Sequence, residues 1–226
     1  MRILIVAATR EEVVDLIHDL QFNVYDSLRG DRPAMQMAPN LKYDLLITGV
    51  GMVATAFALG RHLAVNNYDL VLNLGIAGSF DKNIPLGEVV QVNKDTFAEL
   101  GADDGDDFLP IEALGFGQGT YQSDFRVADL GDLSTTLNIK QVTGITVNTV
   151  HGNEASIKKV VERLSPQLES MEGAACFYAC EKLGLTCIQI RAVSNYVEKR
   201  NRDSWKIGLA VKNLNTFALN LVERFA

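Results

Sequence analysis

The chain has 226 residues, 47% of them hydrophobic and 22% charged, an ordinary globular composition with room for one large α/β domain. Its net charge of −7 argues against a protein that grips nucleic acid through phosphates, which needs a basic surface. No apolar stretch approaches the roughly 20 residues that cross a bilayer.

Residues 2–8, apolar from Ile3 onward, have the pattern of a strand buried on both faces. The run stops at Thr9-Arg10-Glu11-Glu12, too early for a signal-peptide core, so a cytoplasmic protein is expected. Residues 11–20 read as a helix with Val13, Leu16, Ile17 and Leu20 on one stripe and Thr9 as its cap. Residues 22–40 suggest one or two short strands around a turn at 29–31. A buried strand follows at 43–48, ending in Gly49-Val50-Gly51, and then a helix at 52–66. The strand at 69–74 ends in Gly75-Ile76-Ala77-Gly78-Ser79.

Short strands are expected at 89–92 and 97–100. The stretch 101–132, rich in Gly and Asp, reads as surface loop with short pieces of structure. Residues 142–150 are strand-like and 154–163 helical, closed by Ser165-Pro166. A helix at 172–183 ends at Gly184, a suitable residue just past a helix terminus. Residues 185–193 form a buried strand, 195–203 a polar connection, and 205–225 a long amphipathic helix. Strands and helices alternate without a low-complexity linker. The expectation is a single domain over 1–226, of α/β class, with three layers and a central mixed sheet flanked by helices.

The three cysteines, Cys176, Cys180 and Cys187, are too few and too odd in number for a disulfide framework. Cys176 and Cys180 share a helix face, whereas His18, His62 and His151 are scattered, so the thiols read as core and no metal is expected.

Ligands of open α/β sheets gather beyond the carboxyl ends of strands. Four such ends carry residues unusual for plain loops: Thr9 to Glu12, Gly49 to Gly51, Gly75 to Gly78, and Arg191 to Asn195. Met171-Glu172 opens a helix and makes a fifth. Each has a plain alternative. Gly-x-Gly serves tight packing, Glu12 suits the first turn of any helix, Met171 fills gaps, and Asn195 suits a turn.

In this order, Glu11-Glu12, Gly49-Val50-Gly51, Asn73 to Gly78, Ser170-Met171-Glu172-Gly173 and Arg191 to Asn195 resemble the methylthioadenosine/adenosylhomocysteine nucleosidase branch of the nucleoside phosphorylase superfamily. The resemblance covers nearly the whole chain and is weakest at 101–132. Within that branch, Val147 to Val150 and Ser194 to Asp203 are similar to the futalosine hydrolase family. The resemblance implies cofactor-independent hydrolysis of a purine nucleoside, futalosine, to hypoxanthine and dehypoxanthine futalosine in menaquinone biosynthesis. The alternatives are a methylthioadenosine-type nucleosidase and a purine nucleoside phosphorylase.

By the same resemblance, Glu12 orients and deprotonates the attacking water, and Glu172 accepts hydrogen bonds from both ribose hydroxyls. Met171 packs under the ribose, Ala77 and Gly78 lie close to the base, and Thr149 and Val150 read its edge through backbone groups. Ser194 and Asn195 complete the site. The methylthioadenosine branch has Asp where this chain has Asn195. A carboxamide donates to a 6-oxo group and accepts from a protonated N7, which favours hypoxanthine or guanine over adenine. Mispairing there costs about 1–3 kcal/mol. An amide is no carboxylic acid, so the N7 proton must come from solvent or a tautomeric relay.

Two departures bear on the reaction. Ile76 replaces the family serine, so a neighbouring backbone amide must substitute for its hydroxyl. Asn73-Leu74 stands where phosphorylases carry a phosphate-binding Arg, which favours water over phosphate and leaves Arg10 and Arg61 as the candidate phosphate ligands. Arg191 reads as a supporting residue for Asn195 or Glu172, or as a plain salt bridge. Lys199, Arg200 and Arg202 form a basic patch, either facing the carboxylate of the futalosine tail or simply solvated. The resemblance also implies a homo-oligomer, with part of 97–120 as an interface or lid.

Overall fold

In the computed structural model, which describes residues 1–20, 22–29, 43–123, 125 and 139–223, the N-terminal apolar run forms β1 (Ile3–Ala7), with every residue buried. Its neighbours in the sheet are the parallel strands β3 (Tyr43–Ile47) and β4 (Leu70–Ser79), and β2 (Asn23–Asp26) extends the edge beyond β3. On the other side of β4 lie β11 (Cys187–Tyr196), then β5 (Val89–Phe97), β9 (Lys140–Thr146) and β10 (Leu168–Ser170). β10 returns to pair antiparallel with the far end of β4, so β4, β11, β5, β9 and β10 close into a small ring. The sheet is mixed, because β11 runs parallel to β4 but antiparallel to β5.

Helices cover both faces. One core cluster packs α1 (Val14–Asp19) and α5 (Ile207–Glu223) on the sheet, through Leu16, Ala210, Leu214, Ala218 and Leu221. A second holds α2 (Met52–Leu63) and α4 (Gly173–Lys182) on the opposite face, around Leu59, Cys176, Phe177 and Cys180. Helix α3 (Glu154–Leu164) is capped by Asn153, whose side chain accepts from the amides of Ala155 and Ser156. Burying side chains such as Ile5 and Leu72 stabilises the fold by about 1.5–3 kcal/mol each. None of the described helices is long and apolar enough to cross a membrane.

Several expectations need correction. The helix expected at 11–20 begins as a turn of 3-10 helix, Glu11–Val13, and Thr9 does not cap it. Asn215 of α5 takes that role: its Oδ1 accepts from the Leu16 amide at 3.0 Å and its Nδ2 donates to the Glu12 carbonyl at 2.9 Å. β4 and β11 do not stop at Leu74 and Val193 but run through Ser79 and Tyr196, because they pair with each other over that whole length. The two strands expected at 89–92 and 97–100 are one, β5, with a register shift against β9 between Val92 and Lys94. The strand expected at 142–150 ends at Thr146. The stretch 101–132 contains the hairpin β6 (Gly101–Asp104) and β7 (Asp107–Pro110), and then β8 (Thr120–Gln122). Residues 30–40 of the expected edge strands lie outside the described residues, as does most of 124–132.

The three cysteines converge. Cys176 and Cys180 on α4 and Cys187 on β11 are buried, with their sulfurs within 4.8 Å of one another.

Candidate active site

A cavity of about 420 Å³ opens beside the β4–β11 pairing. The sequence around β4 explains how charged and polar side chains reach it. Glycine at 75 and 78 removes side chains where others must pass: a Cβ on Gly75 would meet Arg191 Nη1 at 2.7 Å and Glu12 Oε1 at 3.1 Å. A Cβ on Gly78 would meet Val197 at 3.0 Å and Asn195 Nδ2 at 3.2 Å. β11 carries a bulge here, since Val193 pairs with Ala77 and Asn195 with Gly78, leaving Ser194 as the extra residue. A bulge re-aims the side chains beside it, and Asn195 lines the cavity as a result.

Glu12 enters from the 3-10 turn after β1. Its Oε1 accepts from the Ile76 amide at 3.1 Å, and its Oε2 accepts from the Thr9 amide at 3.1 Å and more weakly from the Thr9 hydroxyl at 3.4 Å. Burial raises the Glu12 carboxyl above its ordinary range, and the nearby Glu172 charge adds to the effect. The Ile76 and Thr9 amides and the Arg191 guanidinium act in the opposite direction.

Glu172 stands just before α4, with its Oε1 accepting from the Gly51 amide at 2.9 Å and its Oε2 from the Met171 amide at 3.2 Å. Gly51, at φ +99°, a conformation that favours glycine, stands at the start of α2. The Ser194 hydroxyl lies 2.8 Å from Asn195 Oδ1 and 3.1 Å from the Ala77 carbonyl, and its single hydrogen serves one of them at a time. Asn195 Nδ2 donates to the Tyr196 carbonyl at 3.1 Å. Both amide atoms keep a further hydrogen-bonding position.

Behind the site, Arg191 is 1% exposed, and its Nη1 donates to Asn73 Oδ1 at 3.2 Å. Asp95 is equally buried, accepting from Gln189 at 2.8 Å and from the Thr146 hydroxyl at 2.9 Å. Burial pushes its carboxyl up to about 6, against those hydrogen bonds and the Arg191 charge. The Thr146 hydroxyl accepts in turn from the Ala174 amide at 2.7 Å, tying β5 and β9 to the start of α4 and so to Glu172.

The Phosphorylase superfamily model matches residues 2–226. The futalosine hydrolase of Streptomyces coelicolor is 35% identical over 178 residues, covering 76% of this chain and 75% of its own. That of Thermus thermophilus is 33% identical over 171 residues, covering 75% of this chain and 76% of its own. The chain belongs to the phosphorylase superfamily, in its futalosine hydrolase branch.

Solved structures share the fold. The Helicobacter pylori 5′-methylthioadenosine/S-adenosylhomocysteine nucleosidase bound to butyl-thio-DADMe-Immucillin-A superposes with a TM-score of 0.78 at 16% identity, covering 99% of this chain and 98% of its own. The native futalosine hydrolase of the same organism superposes with a TM-score of 0.78 at 16% identity, covering 99% and 97%.

As a member of this branch, the chain brings together most of the residues named from its sequence. Glu12, Ala77, Gly78, Val150, Met171, Glu172, Ser194 and Asn195 all line the one cavity. Thr149 is exposed and does not line it. Neither Arg10 nor Arg61 lines it, and Arg10 Nε is held by Asp26 at 2.9 Å. Sequence reasoning missed His151 and Glu169, which also line the cavity. Glu169 lies on β10, too short a strand for periodicity to reveal, and His151 had no metal-like or triad-like spacing to mark it. Trp205 was read only as the start of a helix, yet it lines the cavity beside Arg200, whose guanidinium sits 5.1 Å from the indole centroid.

Proposed function

We propose that this chain hydrolyses the N-glycosidic bond of futalosine, releasing hypoxanthine, with Glu12 as the general base. The observation that carries the reading is the pairing of Glu12, held by three donors, with Glu172 across one cavity that Asn195 also lines. Glu12 takes a proton from water as the oxygen adds to the anomeric carbon and the bond to the purine breaks. One well-placed general base contributes roughly 10²–10⁴-fold in rate. The Ile76 amide occupies one Glu12 oxygen, so a backbone N–H supports the base where a serine hydroxyl is missing. Glu172 keeps lone pairs for the ribose hydroxyls beyond its two backbone donors.

At the other end, Asn195 pairs with a 6-oxo purine, its Nδ2 toward O6 and its Oδ1 toward a protonated N7. Ala77 and Gly78 leave room for the ring, and Val150 offers its backbone to the edge. Trp205 and Arg200 suit an aromatic, carboxylate-bearing 5′ tail: the indole gives a face for stacking and the guanidinium a partner for the charge. Water rather than phosphate is the nucleophile, in keeping with Asn73-Leu74 in place of an arginine and with Arg10 and Arg61 lying off the cavity lining.

The active form is read as a homo-oligomer of one cytoplasmic domain. Val53 and Phe57 on the outer face of α2 are 76% and 65% exposed, and Phe116, in the segment expected as an interface or lid, is 79% exposed. They line one apolar depression together with Leu100, Ile111 and Tyr178. A second copy of this chain covering that face would also buttress the start of α2, which supplies the Gly51 amide to Glu172.

Glu12→Gln tests the mechanism. The variant is expected to bind hypoxanthine as the wild type does while losing at least 10²-fold in base release. Turnover at the wild-type rate would overturn the assignment.

A further inference from the structure

Asn195 leaves the reaction without an obvious acid. A purine departs from the anomeric carbon as an anion unless it gains a proton as the bond breaks, and a carboxamide has none to give. Another group in the same cavity can supply it.

His151 and Glu169 form a clamped pair. The Glu169 Oε2 lies 2.7 Å from His151 Nδ1, and its Oε1 accepts from the His151 backbone amide at 3.0 Å. Both carboxylate oxygens therefore hold one residue, fixing ring and main chain together. Glu169 is buried on β10, paired across the sheet with Gly78, and its Cγ stands 3.6 Å from the place a Gly78 Cβ would occupy. Asn195 Nδ2 stands 3.2 Å from that same place, so the two side chains flank Gly78, and all three residues line the cavity. Burial raises the Glu169 carboxyl while the contact with His151 acts against that rise, as for a carboxylate whose partner is an imidazole. Phe80 meets the imidazole edge-on, with ring centroids 6.2 Å apart, and restricts it further.

We propose that His151, oriented by Glu169, is the general acid that protonates the departing purine. This rests on the hydrolase reading above. With Glu169 accepting the Nδ1 hydrogen, the imidazolium gives its Nε2 proton to N7 of the base as the glycosidic bond breaks, and this is the N7 hydrogen that Asn195 Oδ1 accepts. Water adds to the anomeric carbon and its proton passes to Glu12. The products are a neutral purine and a ribose hydroxyl, with neutral His151 and protonated Glu12 left behind; solvent returns the proton from Glu12 to His151. A carboxylate that fixes imidazole tautomer and orientation is a recurrent arrangement in acid–base catalysis. Other charged groups are near. Glu99, which accepts from the Asn148 amide at 3.1 Å, acts on Glu169 from just beyond β5, and Glu198 and Arg200 line the cavity from the segment after β11.

The test is base release from futalosine by the full chain over a pH series, comparing wild type, His151→Gln and Glu169→Gln, with circular dichroism and melting as fold controls. His151→Gln is expected to lower kcat by roughly 10²–10⁴-fold, with KM changed far less, and to abolish the alkaline limb of the wild-type profile. Glu169→Gln is expected to retain part of the rate and to shift that limb. A His151→Gln enzyme that keeps kcat and raises KM, or keeps the alkaline limb, would overturn the proposal and leave His151 as a support for the 147–152 segment. If wild type releases no base from futalosine, the substrate reading fails instead, and the same comparison is made on whichever nucleoside it cleaves.

Discussion

Gly75→Ala adds one methyl group between Arg191 and Glu12. The backbone at Gly75 does not lie in the left-handed region, so alanine is tolerated there and the effect falls on the neighbours. To relieve the new contacts, Arg191 Nη1 must retreat from 2.7 to about 3.4 Å and Glu12 Oε1 from 3.1 to about 3.4 Å from the added carbon. Arg191 is enclosed, so its displacement passes to Asn73, and Glu12 must lengthen its bond to the Ile76 amide. A misplacement near 1 Å costs about 10²-fold in rate, so shifts of this size should lower kcat/KM by about 10–100-fold. Base release by coupled absorbance gives the rate, and thermal melting reports the fold. A variant with wild-type kcat/KM and an unchanged melting temperature would refute the claim that this crowded contact sets the position of Glu12.

Four further outcomes are expected. Because burial and then Glu172 raise the Glu12 carboxyl, the acid limb of kcat/KM should lie above the usual carboxylate range; Glu172→Gln should move it down, and an unmoved limb would contradict the coupling. Asp95, held at about 6 by burial, keeps its proton in the folded state after the unfolded chain has lost it; stability should therefore fall as pH rises from about 4 to 6, and Asp95→Asn should flatten that slope in urea denaturation. Asn195→Asp should shift the hypoxanthine-to-adenine preference by roughly 10–150-fold toward adenine nucleosides, read from paired kcat/KM values. Phe57→Glu on the exposed face of α2 should lower the mass seen by light scattering and weaken activity with it; an unaltered mass would remove that face as the interface.

The sequence made the layers legible because β1 is an unbroken apolar run and β3, β4 and β11 are near-continuous ones, broken only by Asp44, by Asn73 and by Gln189 and Arg191 before their polar ends, the pattern of doubly covered strands. Their true ends were harder to read. Past Leu74 and Val193 the residues turn polar or small because they face a cavity, and local patterning reads that change as a loop although the hydrogen-bond ladder continues. The capping of α1 was hidden for a different reason, since its partner Asn215 lies 199 residues away from Leu16 in the chain. Most of the cavity lining was named through the resemblance, whereas His151 and Glu169 meet only when β10 closes the ring. Gly173 shows the same limit: a Cβ there would strike Asp95 and Gln189, which belong to two other strands.

The central claim is hydrolysis of a 6-oxo purine nucleoside with water as nucleophile. The most direct measurement follows free base released from futalosine, inosine and methylthioadenosine, each with and without phosphate. Hypoxanthine is expected from futalosine at a rate indifferent to phosphate, with little adenine from methylthioadenosine. Strict dependence on phosphate, or adenine release that outpaces hypoxanthine release, would contradict it.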